Sequence, residues 1–350
     1  MTGRAAPQGA DGPLARLAAA TQDPVRMQLL LLQLSPVILF AIVVLIFSLA
    51  ADRFLSLQTL NNVVIQAAHI AIIAIGMTFV LLTAGIDLSV GAIMYVVVAI
   101  VTLYLGDLPL ILSFPIGLLV GLAFGCLNGF FIVVVRVAPF ITTLATLFIG
   151  RGAALFMTDT AMVFANDDVL TLGQTDWLGL RSSIWVFLVV FAIAFVVLRS
   201  TPFGRQVYAV GQDPAAAAKA GLKVQAILFS VYALSGVCAA IGGLVSLTQV
   251  AAASSTFGFQ KEFPVIAAAV LGGTSLFGGR GTVIGTAFGA LLIQTVESGL
   301  VMANSDPYAY PLITAGIIFL AVLVDAMRTR TAARLNRRKI RIDDPGERAA

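Results

Sequence analysis

Long apolar runs recur along this chain of 350 residues, and short polar or glycine-rich segments separate them. An α-helix needs about 20 apolar residues to cross the hydrocarbon core of a bilayer. The pattern therefore predicts an all-α, polytopic membrane helix bundle of about ten transmembrane helices, of which the eighth is too short to cross unaided. The runs lie at 29–51, 63–84, 88–105, 110–135, 138–157, 183–199, 226–248, 264–277, 283–302 and 310–326.

Polar segments at the two ends of the chain divide it into three parts. We expect a cytoplasmic N-terminal tail at 1–28, a transmembrane domain at 29–326 and a basic cytoplasmic C-terminal tail at 327–350. The first apolar run is too long for the core of a signal peptide, so we expect it to remain as a membrane anchor. With 59% hydrophobic and 11% charged residues, the chain has more apolar surface than a soluble fold covers.

The distribution of lysine and arginine predicts the orientation of the bundle. If the N-terminus is cytoplasmic, only Arg53, Arg181 and Lys261 fall in outside segments, while Arg151 falls within an apolar run and the other basic residues are cytoplasmic. Cytoplasmic loops of membrane proteins are enriched in basic residues. An even number of helices is therefore expected, with both termini in the cytoplasm. The basic residues form no patch with aromatic residues, so we expect no nucleic-acid partner.

Glycines at four-residue spacing mark two of the runs. In lipid, close approach of helix backbones is a main source of packing energy, so each row predicts a helix pressed tightly against a neighbour. Each row also follows a glycine-rich break, at 85–91 and at 272–279, which hints at an internal repeat of the kind found in transporters. The rows are Gly117, Gly121, Gly125 and Gly129, and Gly281, Gly285 and Gly289.

The most informative polar connection is 200–225. Asp213 can cap a helix, and Pro214 suits its first turn. The alanine-rich stretch that follows favours a helix, and Gly221 suits the left-handed residue that ends one. We predict a helix of about two turns on the cytoplasmic side, held by tertiary packing or by a partner because it is too short to be stable alone.

Polar residues inside apolar runs are expensive in lipid and are candidates for a translocation pathway. Asp87 could instead cap the next helix together with Ser89. Glu297 needs either a partner, for which Arg151 is a candidate, or an aqueous lumen. The remaining candidates could line a pathway or satisfy neighbouring backbone groups. The candidate pathway residues are Asp87, Asn128, Thr142, Thr143 and Glu297.

Catalytic and metal chemistry find little support in the sequence. His69 is the one histidine and is expected to be a packed, hydrogen-bonded residue. Cys126 and Cys238 lie in apolar runs and are expected to be small buried hydrophobes. No Gly-x-x-x-x-Gly-Lys-Ser/Thr motif is present to bind nucleotide phosphates. We expect no catalytic residue, metal or cofactor, and energy supplied by another chain or an ion gradient.

Four segments carry a family resemblance. They read GMTFVLLTAGIDLSVG at 76–91, PFITTLATLFIGRG at 139–152, FGRQVYAVG at 203–211 and AAAVLGGTSLFGGRGTVIGT at 267–286. In this order they resemble the permeases of ribose/xylose/galactose-type ABC sugar importers, within the superfamily of branched-chain amino acid and sugar permeases. The resemblance implies a permease subunit of the bacterial inner membrane. Its implied partners are a cytoplasmic ATP-binding subunit, a periplasmic sugar-binding protein and a second permease chain, either identical or paralogous.

The resemblance also implies a role for the connection at 200–225. The predicted short helix at 213–221 matches the coupling helix by which such permeases dock onto the ATPase. Asp213 stands where the family often has asparagine, and this keeps the capping chemistry. The implied coupling residues are Gly204, Arg205, Gly211, Asp213, Pro214, Ala217 and Gly221.

Three functional hypotheses remain from the sequence. The first is an ATPase-gated channel for a neutral monosaccharide. The second keeps the machinery and changes the cargo to a branched-chain amino acid, a nucleoside or another small metabolite. The third is a proton- or sodium-coupled secondary transporter. Its proton-coupled form is weakened because the single histidine is expected to be packed and hydrogen-bonded.

Overall fold

A computed structural model describes residues 38, 40–316, 319 and 323. The predicted tails at 1–28 and 327–350 lie outside these residues, as do parts of the first and last apolar runs. The described helices are α1 (Phe40–Ala50), α2 (Leu57–Leu82), α3 (Val90–Tyr104), α4 (Leu110–Val133), α5 (Pro139–Thr158), α6 (Asp167–Gln174), α7 (Ser182–Ser200), α8 (Pro202–Gln212), α9 (Pro214–Lys219), α10 (Val224–Val250), α11 (Glu262–Leu271) and α12 (Val283–Met302), followed by a 3₁₀ turn (Pro307–Ala309) and helical residues 310–316.

Six of the described helices are long and apolar enough to cross a membrane, namely α2, α4, α5, α7, α10 and α12. The described part of the chain is therefore a helical membrane bundle, which confirms the predicted fold class at that level. The eighth apolar run folds as α11, whose 10 residues span only about 15 Å, as the sequence predicts.

The third apolar run, at 88–105, folds as a shorter helix than expected. Helix α3 has 15 residues and a length of about 22 Å, less than the hydrocarbon thickness of about 30 Å. Almost all of its side chains are buried against α4, α5 and α10. Because it is apolar on every side, α3 forms part of the core of the bundle.

The glycine rows pack helices as the sequence predicts. On α4, a Cβ added at Gly121 would collide with the carbonyl of Gly236 on α10, and one added at Gly125 would meet the carbonyl of Tyr232. On α12, Gly289 has the same relation to the carbonyl of Ala268 on α11. Small residues thus bring the backbones of these helix pairs into direct contact.

The two ends of the bundle carry different structures. At one end, which we call the α9 end, α8 lies beside the breaks between α2 and α3 and between α11 and α12, and α9 packs against α8 and α10. At the other, the hairpin end, β1 (Val163–Phe164) pairs antiparallel with β4 (Ala252–Ala253). The hairpin end also holds α6 and a hairpin formed by β2 (Asp176–Trp177) and β3 (Leu180–Arg181).

Candidate functional site

A cavity of about 940 Å³ opens between α2, α11, α12 and the helical segment that follows residue 309. We call it the groove. It lies towards the hairpin end, because it is lined by the first half of α2 and the second half of α12. Apolar side chains such as Val301, Met302 and Phe319 form part of its wall.

Polar side chains line the groove at helical spacing. Thr59, Asn62 and Gln66 lie on one face of α2, and Gln294, Glu297 and Ser298 lie on one face of α12. The Gln294 side-chain amide donates to Oε1 of Gln66 at 3.0 Å, which connects the two walls. Amide and hydroxyl groups can both donate and accept hydrogen bonds, so this surface suits a neutral, hydroxyl-rich solute.

The mouth of the groove is formed by the loop before α11. Phe259, Gln260 and Lys261 contribute to the lining. Arg151 of α5 holds this loop, because its guanidinium donates to the carbonyl oxygens of Phe257, at 2.7 Å, and of Ser255. The guanidinium also lies over the rings of Tyr95 and Phe259, 5.1 Å from each ring centre.

The suggested partnership of Arg151 with Glu297 is wrong. Arg151 uses its donors on the backbone of the 254–259 loop, whereas Glu297 lines the groove on α12. Two backbone carbonyls accept from the guanidinium, and the nearby carboxyl group of Glu262 adds a favourable charge, which together accommodate an arginine within an apolar helix. Glu297 has instead the second environment that the sequence allows, an open polar surface.

A second group of polar residues is closed off inside the bundle. Asp87, which is fully buried in the break between α2 and α3, accepts hydrogen bonds from the backbone N–H of Ser89 at 3.0 Å and from its hydroxyl at 2.6 Å. The hydroxyl of Ser235 on α10 donates to the other carboxyl oxygen at 2.8 Å. Asp87 thus binds Ser89, the residue before α3, and ties it to α10, but no side chain caps α3 as the sequence analysis expected.

The network continues across two more helices. The side-chain amide of Asn128 on α4 donates to the hydroxyl of Ser89 at 2.8 Å, and its oxygen accepts from the hydroxyl of Thr146 on α5 at 2.7 Å. Neighbouring Thr143 donates to the carbonyl of Ile86 at 3.2 Å and to that of Pro139 at 3.0 Å. We call the set Asp87, Ser89, Asn128, Thr146 and Ser235 the buried network.

The predicted pathway residues therefore fall into two environments. Glu297 lines the groove, whereas Asp87, Asn128, Thr142 and Thr143 are buried and none of these four lines it. Thr143 satisfies neighbouring backbone carbonyls, as the alternative hypothesis has it, whereas the partners of Asn128 are the side chains of Ser89 and Thr146. The hydroxyl of Thr142 is buried without a partner among the described residues.

The predicted short helix in 200–225 forms as α9. The carboxylate of Asp213 accepts from the backbone N–H groups of Ala215 and Ala216, each at 2.9 Å, and Pro214 is the first helical residue. Gly221 ends the segment with a φ of +84°, the left-handed conformation predicted for it. Only Ala217 of the helix is buried, so α9 projects from the bundle.

A longer helix, α8, precedes α9 and was not predicted. Thr201 caps it by accepting from the N–H of Gly204 at 3.3 Å, and Pro202 begins it. This threonine–proline pair is the signal that sequence reasoning missed. Arg205 is exposed on α8, while Gly204, Val207, Val210 and Gly211 face the bundle.

Helix α8 contacts both breaks in the bundle. A Cβ added at Gly211 would collide with the carbonyl of Leu82, the last residue of α2, which itself accepts from the N–H of Gly279 at 2.9 Å. The Tyr208 hydroxyl donates to the carbonyl of Gly281 at 2.7 Å. Partial burial raises the pKa of the Tyr208 phenol, so it stays protonated and able to donate. Helix α8 therefore links α9 to the ends of the two helices that line the groove.

His69 and the cysteines occupy positions close to those predicted. The imidazole of His69 is buried with Nδ1 3.1 Å from Oε1 of Gln249, whose amide nitrogen donates to the carbonyl of Ile65 at 2.7 Å. Cys238 is buried and Cys126 is half-buried, both as free thiols. His69 is thus a packed, hydrogen-bonded residue as expected.

These features define the class of the protein. A bundle of apolar helices with a polar groove near one end and a projecting capped helix at the other is the architecture of an integral membrane transport protein.

The family follows from comparison with known proteins. Residues 59–324 match the family described as the branched-chain amino acid transport system permease component, and the chain belongs to this family. The chain is therefore a permease subunit and not an enzyme.

Individual relatives carry names from sugar import. A ribose import permease protein of Haemophilus influenzae is 37% identical over 290 residues, which cover 81% of this chain and 90% of the relative. One of Bacillus subtilis is 36% identical, covering 85% and 94%. A fructose import permease protein of Rhizobium meliloti is 34% identical, covering 83% and 86%. None of the solved structures gives a significant match.

Membership of this family brings general consequences. A permease subunit of this kind resides in the inner membrane and works with an ATPase on a separate chain and with a periplasmic binding protein. The six membrane-capable helices agree with that location.

Proposed function

We propose that this chain forms the translocation pathway of an ABC importer for a monosaccharide, and that the groove is its outward part. The observation that carries the proposal is the row of neutral amide and hydroxyl groups on the facing sides of α2 and α12. The relatives named for ribose and fructose import support the same class of cargo. Weak and interchangeable hydrogen bonds suit a pathway, because tight sites would trap the solute.

An amino acid is the second candidate cargo. Lys261 and Glu297 both line the groove and offer opposite charges that could receive the carboxylate and ammonium groups of a zwitterion. The family description, which names branched-chain amino acids, points the same way. We favour the sugar because neutral polar side chains outnumber these two charges on the groove wall.

The proposed topology has about ten helices in the membrane, with both termini and the α9 end in the cytoplasm. It includes the tails at 1–28 and 327–350 and a transmembrane domain at 29–326. The scarcity of basic residues in the segments assigned to the outside supports this orientation.

We further propose that two permease chains assemble, identical or paralogous, so that a second copy completes the groove, and that no nucleic acid is bound. The open side of the groove, which the described residues leave uncovered, supports this pairing.

Coupling to ATP hydrolysis is proposed to run through α9 and α8. Helix α9 offers an exposed, capped surface to the ATPase, and α8 transmits its movement to Leu82 and to the 279–281 segment. Leu82 is the last residue of α2, and the 279–281 segment lies just before α12. A displacement at α9 would therefore move the two helices that line the groove. The proposed coupling residues remain Gly204, Arg205, Gly211, Asp213, Pro214, Ala217 and Gly221.

The test is uptake by proteoliposomes that contain the permease, its cognate ATPase and its binding protein. We expect ATP-dependent accumulation of a radiolabelled monosaccharide, and no accumulation of leucine. Accumulation of leucine alone would favour the second cargo. Uptake by the permease alone that collapses with an ionophore and ignores ATP would contradict the importer altogether.

A further inference from the structure

The β2–β3 hairpin presents apolar side chains where a hairpin in water would carry polar ones. Leu178 and Gly179 form its two-residue turn with φ values of +52° and +79°. Such turns favour asparagine, aspartate or glycine at both positions, because other residues are strained at positive φ. Leu178 occupies the strained position and leaves 91% of its surface exposed, beside Trp177 at 57%.

The chain contains two tryptophans, and they lie together at this hairpin. The indole N–H of Trp185, in the first turn of α7, donates to the carbonyl of Trp177 at 2.9 Å. Helix α7 has 19 residues and a length of about 28 Å, close to the hydrocarbon thickness of the bilayer. If α7 spans the hydrocarbon core, a helix of this length places its first turn at the boundary between hydrocarbon and headgroups.

The hairpin continues the outer surface of α7. The exposed residues of this helix include Val189, Ile193 and Val196, which form an apolar stripe on the outside of the bundle. Trp185 lies four residues before Val189 and so belongs to the same face. Its bond to Trp177 holds the hairpin above this stripe.

Charge at the hairpin is neutralised internally. Asp176 and Arg181 face each other across the strand pair and form an ion pair of 3.2 Å. Tryptophan and other amphipathic side chains concentrate at the membrane–water interface, where one side is apolar and the other is wet. A paired charge next to exposed Trp177 and Leu178 matches that environment.

We propose that the β2–β3 hairpin is an interfacial anchor that inserts Trp177 and Leu178 into the headgroup region of the bilayer beside α7. The anchor fixes the depth of the hairpin end in the membrane and does not depend on the identity of the cargo. A lipid surface is the favoured partner because the hairpin is continuous with the exposed apolar face of α7, a helix long and apolar enough to cross a membrane.

Tryptophan fluorescence tests this directly, since the difference between the native chain and Trp177→Phe isolates the emission of Trp177 and keeps the Trp185 indole that bonds to the hairpin. In proteoliposomes of the full chain, we expect Trp177 to be quenched strongly by a nitroxide on the lipid headgroup, weakly by one deep in the acyl chain and poorly by aqueous iodide. Trp177→Phe leaves the bond to Trp185 in place, because the Trp185 indole donates to the backbone carbonyl at position 177. As a control, Ala218→Trp on α9, in a chain with both native tryptophans changed to phenylalanine, should be quenched mainly by iodide.

A second variant separates the anchor from a simple turn. Leu178→Asn relieves the unfavourable backbone conformation and removes the apolar side chain. An anchor predicts that lipid-label quenching of Trp177 falls and iodide quenching rises in this variant. Strong iodide quenching of Trp177 without lipid quenching, or shielding that appears only when the binding protein is added, would overturn the proposal.

Discussion

The buried network and the groove both place polar side chains within apolar helices, yet they differ in access. The network around Asp87 joins four segments by direct hydrogen bonds and is closed to solvent. The groove exposes amides and Glu297 to an open cavity of about 940 Å³. A polar residue in a membrane helix can therefore stabilise the fold or contact a transported solute. Which of the two it does depends on whether neighbouring side chains bond to it or leave it exposed to a cavity.

The largest effect is expected where the network is broken at its centre. Asp87→Ala leaves three donor groups of Ser89 and Ser235 without their acceptor inside the bundle. We expect a loss of at least about 3 kcal/mol of stability, because each unsatisfied buried group costs about 1 kcal/mol or more. The loss of stability is measured by heating the purified permease and monitoring the folded fraction by size-exclusion chromatography. A variant as stable as the native chain would show that the buried network does not stabilise the segment between α2 and α3.

Next in size is the uncoupling expected from Gly211→Val. The added side chain would collide with the carbonyl of Leu82 and push α8 away from the end of α2. Overpacking of this kind costs about 1–3 kcal/mol, and we expect it to be felt as loss of uptake. Uptake and ATP hydrolysis are measured together in proteoliposomes. Unchanged uptake would contradict the role of α8 as the link.

A smaller, local effect is expected for Gly221→Val. Among the described residues, no atom lies within 4 Å of an added Cβ at this position, so the φ of +84° is what opposes the change. The strain is about 1–2 kcal/mol and should disturb docking of α9 without unfolding the membrane domain. Co-purification of the ATPase and uptake measure the result.

Gly152→Val is the matched control for that variant. Gly152 also has open space around it but lies within α5, without a positive φ. It should leave ATPase binding unchanged. If the two variants bound the ATPase equally well, the proposal that the positive φ of Gly221 is needed for docking of α9 would be contradicted.

The smallest effect on stability is expected in the groove. Glu297→Gln keeps the shape of the side chain and lies on an open surface, so the free energy of unfolding should change by less than about 0.5 kcal/mol. Uptake of a neutral sugar should persist, whereas uptake of a zwitterion that uses this carboxylate should fall. A large loss of stability would place Glu297 with the buried network instead.

Much of the fold was predictable from local patterns. Apolar runs predicted the membrane helices, small residues at four-residue spacing predicted the close pairs, and Asp213, Pro214 and Gly221 predicted the limits of α9, whereas α8 was missed. Each of these depends on neighbours in the sequence, which a pattern can report.

Contacts between distant segments were not predictable in this way. Asp87 meets Ser235, 148 positions away, and Gln66 meets Gln294, 228 positions away. The sequence does not show which distant polar residue each of these meets, so the pairing of residues in the network and across the groove required the fold. The polar spacing of 59, 62 and 66 on α2 was a usable signal for the groove wall.

The central claim is that α9 faces the cytoplasm, where an ATPase can reach it. The most direct measurement is labelling of Ala218→Cys, an exposed position on α9, in a chain whose Cys126 and Cys238 are changed to alanine. With a membrane-impermeant maleimide, the account predicts labelling in inside-out vesicles and none in intact right-side-out vesicles. Labelling from the outside of right-side-out vesicles would contradict the coupling role of α9 and the orientation built on it.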